Sequence, residues 1–264
     1  MLFSPDLSSS APDRFLGNPL IELDCVNSTM DAVSARIAGA AEGLTVVANH
    51  QTTGRGRSGR RWVAAPGTAL LFSTLLRPNI PISDFESFPV LLGVGIAEVI
   101  ETATGVATQL KWPNDVLIDG RKLAGTLVTT RIEGGVVTTA VFGVGVNLIR
   151  SASGDLPETA IALEEATDRS VLKKDLLDSI LHQSSLIYSQ LINGERGDIL
   201  SRWLTKAAFL GESVSVQQGS RSLMGTFEGV GSNGALRLID AEGELHQIRF
   251  GELARGPVRD PAQR

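Results

Sequence analysis

The stretch HQTTGRGRSGRRW, residues 50–62, sets three glycines within six positions and four arginines within seven. Arginine forks grip phosphate and carboxylate through paired N–H donors, and Gly54, Gly56 and Gly59 would let the backbone come close to such a ligand. Arg55, Arg57, Arg60 and Arg61 also repel one another, so the loop is expected to be mobile until an anion neutralises it. The glycine spacing imitates three known phosphate cradles and fits none. A dinucleotide fold needs a helix opening inside the glycine motif, yet Pro66-Gly67 interrupts any helix here, and the first acid beyond Gly59 is Asp84. A P-loop needs Lys-Ser/Thr where Arg60-Arg61 stands, and a kinase loop needs valine at position 61. A nucleic-acid tract would recur in a basic segment, whereas this one is single and lies in a chain of net charge −5. A small anionic ligand is the better reading.

Three further segments carry polar groups in unusual settings. In KWPND, Pro113 ends a strand, so Lys111 and Trp112 close it and Asn114-Asp115 form a polar corner. In GRKLAG, Arg121 and Lys122 start the strand that returns after Asp119-Gly120. In FGVGVNL, Gly143 and Gly145 alternate with valines, which leaves one sheet face bare for a flat ligand, with Asn147 at its end. Each alone also has a plain reading: an Asn-Asp turn, a solvated lysine, a glycine pair that eases strand twist.

These groups need a scaffold to meet. LIELDCV reads as a strand, followed by Ser28-Thr29 as the N-cap of an Ala-rich helix that Gly39 and Gly43 end. GLTVVANH is a strand leading into the arginine loop, and TALLFSTLLRP returns from it. A longer helix is predicted from about Ser83 to Thr104, stopped by Gly105. Asp119-Gly120 and Gly134-Gly135 mark two hairpins in a strand-rich middle, which implies a mixed sheet rather than a βαβ repeat. Two helices follow, VLKKDLLDSILHQSSLIYSQLI and GDILSRWLTKAA. From Phe209 on, four short strands with glycine turns suggest a small β-barrel. The expected division is a mobile tail (1–19), a main domain (20–208) and a small barrel domain (209–264).

With 42% hydrophobic and 20% charged residues, the composition is that of an ordinary globular protein. The N-terminus lacks a signal peptide's basic and apolar regions, and no run approaches the apolar length of a membrane span, so a cytoplasmic protein without nucleic-acid or membrane partners is expected. A single cysteine, Cys25, excludes an internal disulfide and is expected to be a buried structural thiol. His50, His182 and His246 show no metal spacing, so neither a zinc site nor a Cys-His dyad is expected.

Taken in order, S-T, Q-T-x-G-R-G-R-x-G-R-x-W, K-W-P-N-D, R-K-L-A-G and G-x-G-x-N resemble the bacterial biotin protein ligases. The resemblance covers about residues 20–150 by motif, and the C-terminal barrel also fits. It implies an α+β fold of the class II synthetase-like, biotin–lipoate ligase type: a mixed central sheet flanked by helices, with an SH3-like C-terminal barrel. It implies the monofunctional type, without a DNA-binding domain, as monomer or homodimer. The implied reaction joins biotin to ATP as biotinyl-5′-AMP, then passes biotin to a lysine of a biotin carboxyl carrier domain. By the same resemblance Ser28, Thr29 and Gln51 would hold biotin's ureido head, and Arg55, Gly56 and Arg57 would close over its carboxylate and the adenylate phosphate. Lys122 would bind carboxylate and α-phosphate and is the first catalytic candidate, with Arg57 and Asp115. Trp62 would cover the adenine, and Arg60, Lys111, Asn114 and Asn147 would serve the nucleotide. Asp115 would either hold Mg²⁺ or help deprotonate the carrier lysine. Met30 departs from the family, which usually has asparagine there. Lipoate-type ligation on the same fold is the alternative reaction, and a nucleic-acid module or a non-catalytic vitamin binder the alternative classes.

Overall fold

A computed structural model describes residues 15–151 and 156–256. Strands β1 (Leu20–Val26) and β2 (Thr45–Gln51) run parallel, linked through helix α1 (Thr29–Ser34). The other central strands pair antiparallel: β3 (Ala69–Leu76), β4 (Ile80–Pro81), β5 (Gln109–Lys111), β6 (Asp115–Ile118), β7 (Arg121–Glu133) and β8 (Val136–Asn147). Their order is β1-β2-β3-β8-β7-β6-β5, with β4 beside β8, so the sheet is mixed as expected. Asp119 (φ 50°) and Gly120 (φ 72°) form the tight turn between β6 and β7, and Gly134 (φ 57°) and Gly135 (φ 81°) that between β7 and β8. Positive φ at both central residues gives a two-residue turn whose twist suits the strands it joins.

Alternation along the strands separates two cores. Leu70, Phe72 and Leu76 of β3, with Ala140, Phe142, Val144 and Val146 of β8, face the main core. That core is covered by α2 (Ile82–Phe85), α3 (Phe88–Leu91), α4 (Gly93–Thr104), α5 (Leu163–Ala166), α6 (Lys173–Ile192) and α7 (Arg196–Thr205). Leu75 and Val141, on the opposite face, pack with Met30 and Val33 of α1 in a smaller cluster. The functional residues described below lie on this second face.

The predicted helix from Ser83 to Thr104 is three helices rather than one. Pro89 lacks an N–H and crowds the carbonyl four residues back, which separates α2 from α3 at Glu86-Ser87. Gly105 (φ 75°) does close α4, its amide donating to Glu101 O at 2.7 Å. Contrary to the sequence reading, the stretch Ile82–Thr104 has the length and mean hydropathy (1.3) of a membrane span, but its apolar window is 67% buried inside the fold. Helix α1 is also shorter than predicted, ending at Ser34 and continuing as turns such as Gly39 N to Arg36 O.

Two more expectations fail at β1. Cys25 is exposed, because the cluster under α1 reaches Ile21 and Leu23 of this edge strand but not its far end. Of the expected mobile tail, residues 1–14 lie outside the described residues, but Leu16 is buried and its amide donates to Ser185 Oγ at 3.3 Å.

The C-terminal segment forms a five-stranded antiparallel sheet, β9 (Ser213–Gln218), β10 (Arg221–Val230), β11 (Leu236–Ile239), β12 (Leu245–Ile248) and β13 (Glu252–Arg255), ordered β12-β11-β10-β9-β13. The sequence showed four of them and not β13, in which only Leu253 is buried. Residues 206–208 join it to the main sheet by pairing with β5: Leu110 N donates to Lys206 O (2.7 Å) and Ala208 N to Leu110 O (2.9 Å). Trp112, 1% exposed, donates its Nε1 proton to Gly234 O at 3.1 Å and so ties the KWPND corner to the β10–β11 turn. Trp112→Phe removes that donor and leaves a buried carbonyl unpaired, which should cost about 1–3 kcal/mol of stability. Urea unfolding checks this; an unchanged midpoint would show that the contact contributes nothing.

Candidate active site

Sheet register builds the floor of the site. Leu71, Gly145, Gly125 and Asp115 stand side by side on β3, β8, β7 and β6, and Ser73, Gly143 and Leu127 form the adjacent row. All line one cavity of about 180 Å³. Gly143 and Gly145 were read as a bare face for a flat ligand, but the protein's own side chains lie there. A Cβ added at Gly145 would meet the Trp62 indole at 2.6 Å, and one at Gly143 would meet Met30 Cγ and Sδ at 3.1 Å. The glycines thus bring Trp62 and Met30 onto the sheet. Trp62 Nε1 is buried without a protein partner among the described residues.

At one end of the cavity the polar groups are linked. Ser28 Oγ caps α1 by accepting from Met30 N (3.2 Å), as the N-cap signature implied. Gln51 Oε1 accepts from Thr29 N (2.7 Å) and Thr29 Oγ1 (3.0 Å), and Thr29 Oγ1 lies 2.7 Å from Ser73 Oγ. Ser28, Thr29 and Ser73 are each at most 2% exposed. The cavity wall there also includes Met30 and Leu127, so the end is small, apolar-walled and lined with hydroxyls.

The arginine loop forms one wall. Its base closes where Trp62 N donates to Gly54 O (3.0 Å), and a Cβ at Gly54 would meet Trp62 O at 2.5 Å, so only glycine fits. Each of its arginines has a partner in the chain. Arg55 Nη2 lies 2.6 Å from Asp31 Oδ1, and Arg60 pairs with Glu252 of β13. Arg61 Nη2 donates to Thr52 O at 2.5 Å. Arg57 Nη1 donates to Asn114 Oδ1 and to Gly251 O, each at 3.4 Å. Burial lowers the Arg57 pKa; Asp115 opposes that shift and Arg60 adds to it. An arginine in this position is short of solvation and gains from an anion.

Opposite the loop, Lys122 Nζ is 2.6 Å from Asp115 Oδ1 and 5.5 Å from the Trp62 ring centroid. The Lys122–Asp115 contact is an ion pair by distance, without the angles of a hydrogen bond. Asn114 Nδ2 donates to Thr126 O (2.6 Å), which fixes the corner after the tryptophan. Arg55, Arg57, Arg60, Arg61 and Lys122 face the cavity with one carboxylate, Asp115. Such a lining can bind a carboxylate and a phosphate together and hold them through charge-assisted hydrogen bonds.

The structure brings Ser28, Thr29, Gln51, Arg55, Gly56, Arg57, Arg60, Trp62, Asn114, Asp115 and Lys122 into this cavity. Lys111 and Asn147 are not among its lining residues. Asn147 instead spends its amide protons on Lys122 O and Ile161 O, both at 3.2 Å, and so anchors the strand that carries Lys122. Sequence reasoning missed Ser73, Gly125, Thr126 and Leu127, which are ordinary strand residues until register places them, and Glu252, which lies in the unread strand. As for Mg²⁺, no cluster of three or more His, Cys, Asp or Glu occurs among the described residues. A single carboxylate, Asp115, beside the Asn114 amide is a donor set that fits only a cation retaining most of its own waters.

Residues 22–147 match the biotin/lipoate A/B protein ligase family. The chain is 30% identical over 233 residues to the bifunctional ligase/repressor BirA of Bacillus spizizenii, across 86% of this chain and 71% of that one. It is 31% identical over 218 residues to the biotin–(acetyl-CoA-carboxylase) ligase of Paracoccus denitrificans, across 79% of this chain and 90% of the relative. Among solved structures, the biotin protein ligase from Aquifex aeolicus in complex with biotin and ATP superposes with a TM-score of 0.72 at 29% identity. That match covers 90% of this chain and 99% of the other.

The floor geometry makes a direct prediction. Gly145→Ala would drive the Trp62 ring from its seat, since Cβ contacts near 2.6 Å do not occur. Trp62 fluorescence should shift and ligand binding fall at least about tenfold, as expected when a packed wall is displaced by more than a methyl's width. Unchanged emission and affinity would show that the indole does not rest on β8.

Proposed function

The chain belongs to the biotin/lipoate A/B protein ligase family, and from that premise we propose that it is an ATP-dependent biotin–protein ligase. The observation that carries the reading is the joining of two features in one cavity: a hydroxyl-lined end and a ring of five cations around a single carboxylate. Biotin and ATP are both anions, and the relatives from Paracoccus denitrificans and Aquifex aeolicus named above are biotin ligases.

A biotin carboxylate oxygen attacks the α-phosphorus of ATP, the bond to the bridging oxygen breaks, and pyrophosphate leaves. The two reactants repel, and Lys122 with Arg55 and Arg57 offsets that repulsion at the forming P–O bond. Asp115, 2.6 Å from Lys122 Nζ, orients the ammonium and yields it to the incoming acid. Asp115 and Asn114 would hold Mg²⁺ through their side-chain oxygens, and the ion would supply positive charge to the phosphates. In the second step a lysine amine of a carboxyl carrier domain attacks the acyl carbon, AMP leaves, and the amine loses a proton. The arginine loop, pinned through Arg57 to Asn114 and to Gly251 O, screens the mixed anhydride from water until the amine arrives. Trp62 supplies a flat face and a free indole donor at the nucleotide's side of the cavity. The reading places the protein in the cytoplasm, with an acyl-CoA or pyruvate carboxylase carrier domain as acceptor, acting as monomer or homodimer.

Incubation with biotin and MgATP, followed by mass spectrometry, should reveal biotinyl-5′-AMP; its absence, with lipoyl-AMP formed instead, would favour the lipoate alternative. Lys122→Ala should lower pyrophosphate release by about two orders of magnitude or more, the usual loss for one preorganised charge contact. A near-normal rate would remove Lys122 from the reaction. Arg57→Gly should keep the fold but release the adenylate at least about tenfold faster. Equal retention would remove the loop as a screen.

A further inference from the structure

The polar end of the cavity has a fixed hydrogen-bond polarity, and Thr29 and Gln51 impose it on Ser73. Thr29 N can only donate, so the Gln51 atom that receives it at 2.7 Å is the carbonyl oxygen, not the amide nitrogen. That oxygen can only accept, so Thr29 Oγ1, 3.0 Å away, donates its one proton there. With its proton committed, Thr29 Oγ1 must accept across the 2.7 Å contact, and Ser73 Oγ is the donor. With that proton committed, Ser73 can offer the cavity it lines only acceptor lone pairs, and Thr29 keeps one more. Ser28 Oγ, which accepts from Met30 N, keeps its proton and has no protein acceptor for it among the described residues. The end thus offers acceptors at Ser73 and Thr29 beside a donor at Ser28, all buried, where a mismatched ligand group would stay unpaired.

We propose that Ser73 is a further specificity-determining residue: with its proton held by Thr29 it presents a buried acceptor, which beside the Ser28 donor suits a group that carries N–H beside C=O, a urea or cyclic amide. The inference rests on the biotin reading and deepens it. It explains selection against simple fatty acids, which fill the same apolar walls but bring no N–H. Its position on β3, opposite Gly143, is what lets it reach across: a Cβ at Gly143 would sit 3.3 Å from Ser73 Oγ.

The test compares the wild type with Ser73→Ala and Ser73→Cys, using biotin, desthiobiotin (ureido kept, sulfur lost) and octanoate. Removing the Ser73 hydroxyl takes away one buried acceptor and leaves a ligand N–H unpaired, while Thr29 still donates to Gln51. Ser73→Ala should therefore raise the Kd of biotin and desthiobiotin alike by about tenfold, the usual scale for one buried hydrogen bond. The KM for ATP should stay within about twofold and octanoate adenylation should not fall, so discrimination drops through the ureido acids alone. Ser73→Cys, which nearly keeps the volume but accepts weakly, should fall between, and carries the test if the alanine variant does not fold. Ureido-acid affinity within twofold of the wild type would overturn the proposal, as would an equal loss for ATP and octanoate, the mark of a structural role only. A wild type that ignores biotin yet activates octanoate would overturn the biotin reading itself, and this inference with it.

Discussion

Five positive side chains around a cavity of about 180 Å³ are the constraint from which the rest of the molecule follows. Left alone they would repel and swing outward; here every one has a partner. Asp31 holds Arg55, Glu252 holds Arg60, Asp115 holds Lys122, and backbone carbonyls hold Arg57 and Arg61. An acid or phosphate that enters must exchange with these partners. The exchange is inexpensive where the pairs are half-exposed, as at Arg55 and Asp31 (53% and 41%), since such pairs contribute about 0–1 kcal/mol. It is larger at the better-shielded Lys122–Asp115 pair, and there the incoming anion also gains most.

The sheet is arranged to make that crowding possible. Two tight turns, at Asp119-Gly120 and Gly134-Gly135, fix the registers that put Asp115, Gly125, Gly145 and Leu71 in one row and Leu127, Gly143 and Ser73 in the next. A one-residue slip in either hairpin would turn this row into the main core. Trp62 and Met30 rest on the glycines, so the cavity walls are side chains from distant segments laid on bare backbone. Asn147, at the end of the same strand, acts one step removed: it holds the carbonyl of Lys122, and so fixes where the ammonium starts.

Much of this was legible in the sequence, for physical reasons. The two turn dipeptides, the Ser28 cap and the Gly105 stop are local signals and are found where they were read. So are the motif residues Arg57, Asp115 and Lys122, whose types in that order identify the family. What escaped reading depends on contacts between distant residues. Ser73 is an ordinary serine until β3 pairs with β8. Glu252 lies in a strand of four residues whose only buried member is Leu253. Cys25 looked like core because its neighbours are apolar, but it stands at the end of an edge strand beyond the reach of α1. Pro89, by contrast, is a local signal, and it divides the stretch before α4 although the apolar period runs through it.

The C-terminal sheet completes the loop's surroundings. Through Gly251 O and Glu252 it meets Arg57 and Arg60, and through Gly234 O it meets Trp112. One interface therefore touches both the arginine loop and the corner that carries Asn114 and Asp115. The most direct test of the account is a crystal structure of the protein with biotinyl-5′-AMP. The account predicts that Lys122 Nζ leaves Asp115 for the acyl–phosphate oxygens and that Arg55 leaves Asp31, with the loop still against β13. Both carboxylate pairs intact at 2.6 Å beside a bound adenylate would contradict it.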